Sequence, residues 1–195
     1  MLGIAGVALI LLGGFLAIAP RIGLLLGLGV VVAGTVLLVL AFWEISRLYG
    51  RPDILRNTVA SITLSLLAGA VESLALLLVL GLFPTLRDGG EPAGASATAA
   101  TLLPYLLGWA TGVAAAFFFY KAVAATAELT GNSVFKLSGL AYVAGAVLPI
   151  VLLGHNVIST IAMMLLLVAF FTLKPARAQP TLASSATPGS LPPSP

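Results

Sequence analysis

The sequence predicts an all-α polytopic membrane protein, built as a bundle of six transmembrane helices. Of its 195 residues, 60% are hydrophobic and only 8% are charged, which is too few to cover a water-facing surface. The apolar residues are gathered in six stretches, each close to the roughly 20 residues that cross a bilayer. Strands with open edges cannot satisfy their backbone hydrogen bonds in hydrocarbon, so we expect the stretches to be helices.

The six predicted helices follow one another along most of the chain. Their ranges are Met1–Ala19, Gly23–Phe42, Val59–Phe83, Leu102–Tyr120, Leu137–Gly154 and Val157–Leu173. The first could instead be a cleaved signal, since Ala17-Ile18-Ala19 has the small-x-small form of a peptidase site. Retention is favoured because no lysine or arginine precedes the apolar run and Pro20 would follow the cut.

The basic residues predict the orientation of this bundle. With the N-terminus inside, seven of them fall on the cytoplasmic side: Arg47, Arg51, Arg56, Lys121, Lys136, Lys174 and Arg177. Arg21 and Arg87 fall outside. This positive-inside bias predicts a multi-pass protein of the cell membrane with both termini in the cytoplasm. Nucleic-acid binding is an unnecessary interpretation, because orientation accounts for the positive charge.

The composition divides the chain into a transmembrane domain, residues 1–173, and a tail, residues 174–195. The tail holds six of the twelve prolines, together with serine, alanine and threonine, and is predicted to be disordered and cytoplasmic. Between the third and fourth helices, Pro84 to Ala100 is predicted to be an exposed, flexible loop.

The two longer cytoplasmic connections resemble each other. Gly50 and Gly131 are predicted to end the second and fourth helices in the left-handed conformation. Asp53 and Ser133 are predicted to cap the helices that follow. Nearby, Arg56 and Lys136 are predicted to contact lipid headgroups. The match indicates either a duplicated unit of helix, turn and helix or convergent capping chemistry.

These connections also carry a family resemblance. Tyr49-Gly50, Ile54-Leu55-Arg56-Asn57, Val134 through Gly139, and the ending from Leu153-Gly154 to Ala169-Phe170-Phe171 resemble the domain of unknown function 996 family. The resemblance covers residues 1–173. It implies a prokaryotic membrane protein without an assigned activity, so it carries over no catalytic or binding residue. Asp53 and Leu55 stand where the pattern has Ser and Phe.

Glu72 lies about midway along the third predicted helix, where a carboxyl group is expensive. Small and polar residues share its side of the helix and predict a packing face: Ser61, Ser65, Ala68 and Gly69. Thr35 and Thr111 are expected at a similar depth, where no lysine, arginine or histidine lies. We therefore expect Glu72 to be uncharged and hydrogen-bonded to a hydroxyl or a carbonyl group. The carboxyl is either structural or a proton-coupled binding group.

Glycines recur at helical spacing on the first two helices. They are Gly6 and Gly13 on the first, and Gly23, Gly27 and Gly34 on the second. In an apolar helix this pattern predicts close packing, and the partner of the second helix is either the first helix or another subunit. Pro149 is predicted to kink the fifth helix. Asn156, next to His155 in the following turn, is predicted to cap the sixth.

No motif in the sequence indicates a reaction. Nucleophile, paired-aspartate, phosphate-loop and metal-ligand patterns are missing, and there is no cysteine. We therefore expect no enzyme activity, metal or cofactor. The favoured function is association within the lipid bilayer, as a homo-oligomer or as an accessory subunit of a membrane complex. The alternative is a small transporter or proton-coupled permease that uses Glu72, with an unknown small-molecule substrate.

Overall fold

A computed structural model describes residues 1–16, 23–87, 95–148 and 154–173. These residues form six α-helices, and no strand occurs among them. The helices are α1 (Leu2–Leu16), α2 (Gly23–Leu48), α3 (Pro52–Arg87), α4 (Ala95–Thr130), α5 (Ser133–Val147) and α6 (Gly154–Phe171). The predicted all-α class is confirmed for this part of the chain. The predicted disordered tail, residues 174–195, lies outside it.

Three of the helices are long and apolar enough to cross a membrane. Their apolar stretches are Leu25–Leu48, Pro52–Ala75 and Leu102–Thr130. The helices α3 and α4 have 36 residues each, or about 54 Å at 1.5 Å per residue. The hydrocarbon layer is about 30 Å thick, so both are long enough to extend well beyond it.

The predicted loop between the third and fourth helices is largely helical. The helix α3 continues to Arg87 and α4 begins at Ala95, so only residues 88–94 of this region lie outside the description. The start of α4 is an alanine-rich segment, and alanine has the highest intrinsic helix propensity. The apolar stretch marks the part of a helix that lipid can cover, whereas the backbone hydrogen bonds continue beyond it.

The predicted course of the last two helices is wrong at the point where they meet. The helix α5 ends at Val147, and Leu148 has φ −86° and ψ 89°. A residue that precedes proline is disfavoured in the helical region, so α5 ends before Leu148 and does not continue to Gly154 as predicted. Pro149 itself lies outside the described residues. The helix α6 begins at Gly154, so Asn156 is inside it and is not its cap.

The six helices form a closed chain of neighbours. Each helix packs against the next in sequence, and α6 also packs against α1. Gly6 of α1 lies against Gly34 and Leu38 of α2, so these two helices are antiparallel. On the other side of α1, the ring of Phe170 lies directly over Gly3. The start of α1 and the end of α6 are therefore neighbours.

An aromatic core holds one end of the bundle together. Phe42 contacts Phe170 edge-on, with ring centroids 5.8 Å apart. Phe170 in turn contacts Phe135 at 5.1 Å. Because Phe42 precedes Gly50 and Phe135 follows Gly131, both glycine turns lie at this end, together with the start of α1 and the end of α6. We call it the turn end.

The two units that surround these turns share one pattern of burial. Gly131 lies 81 residues after Gly50, and every buried position from 38 to 58 is also buried 81 residues later. The pairs are Leu38 and Phe119, Ala41 and Ala122, Phe42 and Val123, Ser46 and Ala127, Ile54 and Phe135, and Thr58 and Gly139. The match predicted from the sequence pairs Asp53 with Ser133, which lies 80 residues later, whereas the burial pattern repeats after 81 residues.

Asn132, and not Ser133 as predicted, caps α5. The Asn132 Oδ1 accepts a hydrogen bond from the backbone N–H of Val134 at 3.1 Å. Its Nδ2 donates to the Ala169 carbonyl and to the Thr172 Oγ1, both at 3.0 Å. One side chain therefore starts α5 and fixes the end of α6 beside it.

Substitution of Asn132 separates these two roles. We expect Asn132→Ala to lower the free energy of unfolding by about 2 kcal/mol, because it removes both the cap and the contacts to α6. Asn132→Asp retains the cap acceptor and loses the donor, so its loss is about half as large. Thermal unfolding of the purified chain in detergent measures both. Equal stability of Asn132→Asp and wild type would mean that the α6 contacts contribute nothing.

Candidate functional site

The glycines of α1 and α2 pack against each other. A Cβ on Gly34 would lie 2.7 Å from the Gly6 carbonyl oxygen, and a Cβ on Gly13 would lie 2.7 Å from that of Gly27. These helices therefore touch backbone to backbone. Of the two partners left open by the sequence, α2 uses its Gly27 and Gly34 for α1 within the same chain. Gly23 begins α2, and its surroundings lie outside the description.

A second close approach joins α3 to α4. Gly108 is buried, and a Cβ there would lie 2.7 Å from the Glu72 Cγ and 3.4 Å from the Ala68 carbonyl oxygen. The Glu72 Cγ thus lies close to the backbone of α4 at Gly108. Gly108 and Gly112 form a GxxxG pattern, which was the signal in the sequence for this contact and was missed.

The Glu72 carboxyl is exposed. Eighteen residues make five helical turns, so Glu72 points in the same direction as Ile54, which is fully buried. Ala68 and Ala75, one turn away on either side, are also buried. Glu72 nevertheless lies on the surface of the described chain. Neighbouring helices therefore bury this side of α3 at Ile54, Ala68 and Ala75 but leave Glu72 exposed.

The two threonines predicted to accompany Glu72 form their hydrogen bonds elsewhere. The Thr35 Oγ1 donates to the Val31 carbonyl at 2.9 Å, and the Thr111 Oγ1 donates to the Leu107 carbonyl at 2.7 Å. Each is a bond within the threonine's own helix. No hydrogen bond joins the Glu72 carboxyl to any other described residue, so the structure does not assemble the predicted group of three.

The other members of the predicted packing face on α3 divide into two groups. Ser61 is buried. Ser65 is exposed in part and hydrogen-bonds the side chain of Tyr142 on α5. Gly69 is exposed, and nothing lies within 4 Å of the position of its Cβ. Gly69 therefore makes no packing contact with the described residues, and its role in helix packing stays a prediction.

Trp109 makes a contact that the sequence did not indicate. Its Nε1 donates a hydrogen bond to the Ala146 carbonyl at 3.0 Å. Ala146 belongs to the last turn of α5, where carbonyl groups have no partner within the helix. The indole therefore joins α4 to the end of α5.

Replacement of Trp109 with phenylalanine tests this link. We expect Trp109→Phe to lower the free energy of unfolding by about 1 kcal/mol, because the Ala146 carbonyl loses its donor. Trp43→Phe is the matched control, since Trp43 is 46% exposed. Unfolding of both variants in detergent measures the difference. A smaller loss for Trp109→Phe than for Trp43→Phe would contradict the structural role of this indole.

At the turn end, both predicted glycine stops have positive φ, 63° at Gly50 and 67° at Gly131. Asp53 lies in the first turn of α3 and pairs with the Arg51 guanidinium through bonds of 2.9 Å and 2.8 Å. These bonds raise the pKa of Arg51. Because α3 begins at Pro52, Asp53 lies inside the helix and does not occupy the predicted cap position before it. Its carboxylate instead binds Arg51, the residue just before the helix. Arg56 and Lys136 are exposed, and their contact with lipid stays a prediction.

The described residues define a class of protein: an all-helical chain with three helices long and apolar enough to span a membrane, glycines at close helix contacts, and an exposed glutamate, Glu72, in the apolar stretch of α3. Residues 30–173 match a family model described as "Protein of unknown function (DUF996)". The chain belongs to this family, which confirms the resemblance seen in the sequence. An uncharacterised protein of Methanocaldococcus jannaschii is 28% identical over 165 residues, covering 83% of this chain and 89% of that relative. No solved structure matches the chain.

Proposed function

We propose that this chain is a multi-pass protein of the cell membrane that has no catalytic activity and acts by associating with itself or with other membrane subunits. The observation that carries the proposal is the open carboxyl of Glu72 on the apolar helix α3. A charged acidic side chain at the centre of a membrane helix costs about 2.5 to 3.5 kcal/mol in lipid. Contact with a polar group of another subunit removes much of this cost.

The surroundings of Glu72 support a protein contact over a water-filled passage. On the side of α3 that carries Glu72, Ala68 and Gly69 precede it and Ala75 follows it, and none of these residues has a polar side chain. The hydroxyls of Thr35 and Thr111 are bound within their own helices. A polar route for ions or protons needs further ionisable or polar groups, and the described residues around Glu72 are mainly apolar.

Affinity purification tests association. The chain, with a C-terminal tag, is purified from its native membrane in mild detergent, and every co-purifying protein is quantified. We expect a complex of fixed stoichiometry. A chain that purifies without any other protein and has the size of a monomer would contradict association. Proton-coupled flux in liposomes that Glu72→Gln abolishes would then support the permease alternative.

We further propose six spanning helices with the turn end in the cytoplasm. Support comes from the charge bias and from the common location of the start of α1, the end of α6 and both glycine turns. Because the sequence has no cysteine, single cysteines can be labelled without background. In intact cells, a membrane-impermeant maleimide should label Asp88→Cys and should label Ser133→Cys only after permeabilisation. The reverse pattern would overturn the orientation.

A further inference from the structure

The open side of α3 at Glu72 has room for another helix. Gly69, one turn before Glu72, is exposed, and nothing lies within 4 Å of its Cβ position. At the same level the Glu72 Cγ lies beside Gly108 of α4, while the residue as a whole is exposed. A helix packed along this side of α3 could approach closely at Gly69 and would contact the Glu72 carboxyl one turn further along α3.

The carboxyl group of Glu72 indicates what kind of side chain that helix carries. A carboxylate within the apolar layer is stabilised most by an opposite charge, and ionisable residues within membranes usually pair with one another. The described residues offer no such charge at this depth. On α3 itself, Arg56 lies 16 residues before Glu72 and Arg87 lies 15 residues after it, each more than about 20 Å away along the helix. On α4, Lys121 lies 13 residues beyond Gly108, about 20 Å along the axis.

A second copy of the chain also lacks a described lysine or arginine at the depth of Glu72. Two copies inserted in the same orientation place equal residues at equal depth, so a second copy would present its described lysines and arginines at the same distant levels. We therefore propose that this face of α3 binds a transmembrane helix of a different protein, which carries a lysine or arginine opposite Glu72. This inference rests on the proposed function, namely association within the membrane.

Photo-crosslinking in the native membrane tests the occupant of this face. A benzoylphenylalanine replaces Gly69 in the full-length tagged chain. The control replaces Leu74, which is 54% exposed and lies two residues after Glu72, on the opposite side of α3. We expect an adduct with a different polypeptide from position 69 and none with it from position 74. An adduct of two copies of the chain, or no protein adduct from position 69, would overturn the proposal.

Substitution of Glu72 then tests the charge. We expect Glu72→Gln to reduce the adduct at least about tenfold. Glu128→Gln, which alters an exposed carboxyl on α4, should leave its yield unchanged. The captured protein should contain a lysine or arginine within a membrane helix. Exchange of the charges, Glu72→Lys with that residue changed to glutamate, should restore the adduct. A partner without such a residue, or an adduct insensitive to Glu72→Gln, would remove the inference.

Association in the membrane and charge pairing at Glu72 can be tested separately. If a partner of fixed stoichiometry is retained equally by wild type and Glu72→Gln, association stands and the charge pairing at Glu72 falls. If the chain purifies as a monomer without any other protein in every variant, association itself is refuted. Release of the chain from membranes by alkaline carbonate would show that it does not span the membrane, and would contradict both association in the bilayer and charge pairing at Glu72.

Discussion

Replacement of Gly34 with alanine is expected to separate α1 from α2 and to destabilise the protein by about 2 to 3 kcal/mol. The added Cβ would lie 2.7 Å from both the Gly6 carbonyl oxygen and the Ile10 backbone nitrogen. These are backbone atoms, so relief requires movement of a whole helix. Elsewhere in a helix the same substitution stabilises, because alanine has a higher helix propensity than glycine by about 1 kcal/mol.

Gly29 supplies the matched control on the same helix. Nothing lies within 4 Å of its Cβ position, so Gly29→Ala should be neutral or slightly stabilising. Denaturant unfolding in mixed micelles measures both variants. If Gly34→Ala and Gly29→Ala behaved alike, α1 could not be the neighbour of the Gly34 face. That face would then be free for another subunit.

Truncation of Phe135 to alanine is expected to cost about 3 to 5 kcal/mol. The side chain is fully buried and meets Phe170 edge-on, with the ring planes 87° apart. Its loss leaves a cavity where α5 joins α6 and where Phe170 continues the contact to Phe42 on α2. In a membrane the cost comes mainly from lost packing, because lipid is as apolar as the core.

Phe171 provides the comparison for this substitution. It is adjacent to Phe170 on α6 but is 65% exposed, so Phe171→Ala should change stability by less than about 1 kcal/mol. Unfolding of the two variants in the same detergent compares them directly. Similar losses for Phe135→Ala and Phe171→Ala would show that the aromatic core does not hold the turn end together.

The existence of the helices could be predicted from the sequence, whereas some of their ends could not. Apolar stretches locate the part of a helix that lipid surrounds, but α3 continues to Arg87 and α4 starts at Ala95 because backbone hydrogen bonding does not depend on apolar side chains. The turn glycines were accessible because positive φ is a property of one residue. The cap was missed by one position because Asn132 and Ser133 have similar capping preferences. The hydrogen bonds of Asn132 to Ala169 and Thr172 of α6 distinguish the two, and they are not visible in the sequence.

The surroundings of Glu72 could be predicted only in part. Helical spacing correctly places Glu72 on the same side of α3 as Ser61 and Ala68, which are buried. Spacing along one helix does not say whether a neighbouring helix reaches every level of that side. Among the described residues, α4 reaches Glu72 through Gly108, yet Glu72 stays exposed. The exposure of Glu72 therefore depends on how the helices are arranged and cannot be read from the sequence of α3 alone.

The contact of Asn132 with α6 also bears on the order in which the chain is assembled. Asn132 is synthesised 37 residues before Ala169, whose carbonyl it binds. While the chain is growing, the side chain can start α5 but cannot yet find its second set of partners. The junction between α4 and α5 is therefore completed only when the last helix arrives. A chain interrupted before Ala169 would contain α5 with its cap, while the hydrogen bond from Asn132 to α6 could not form.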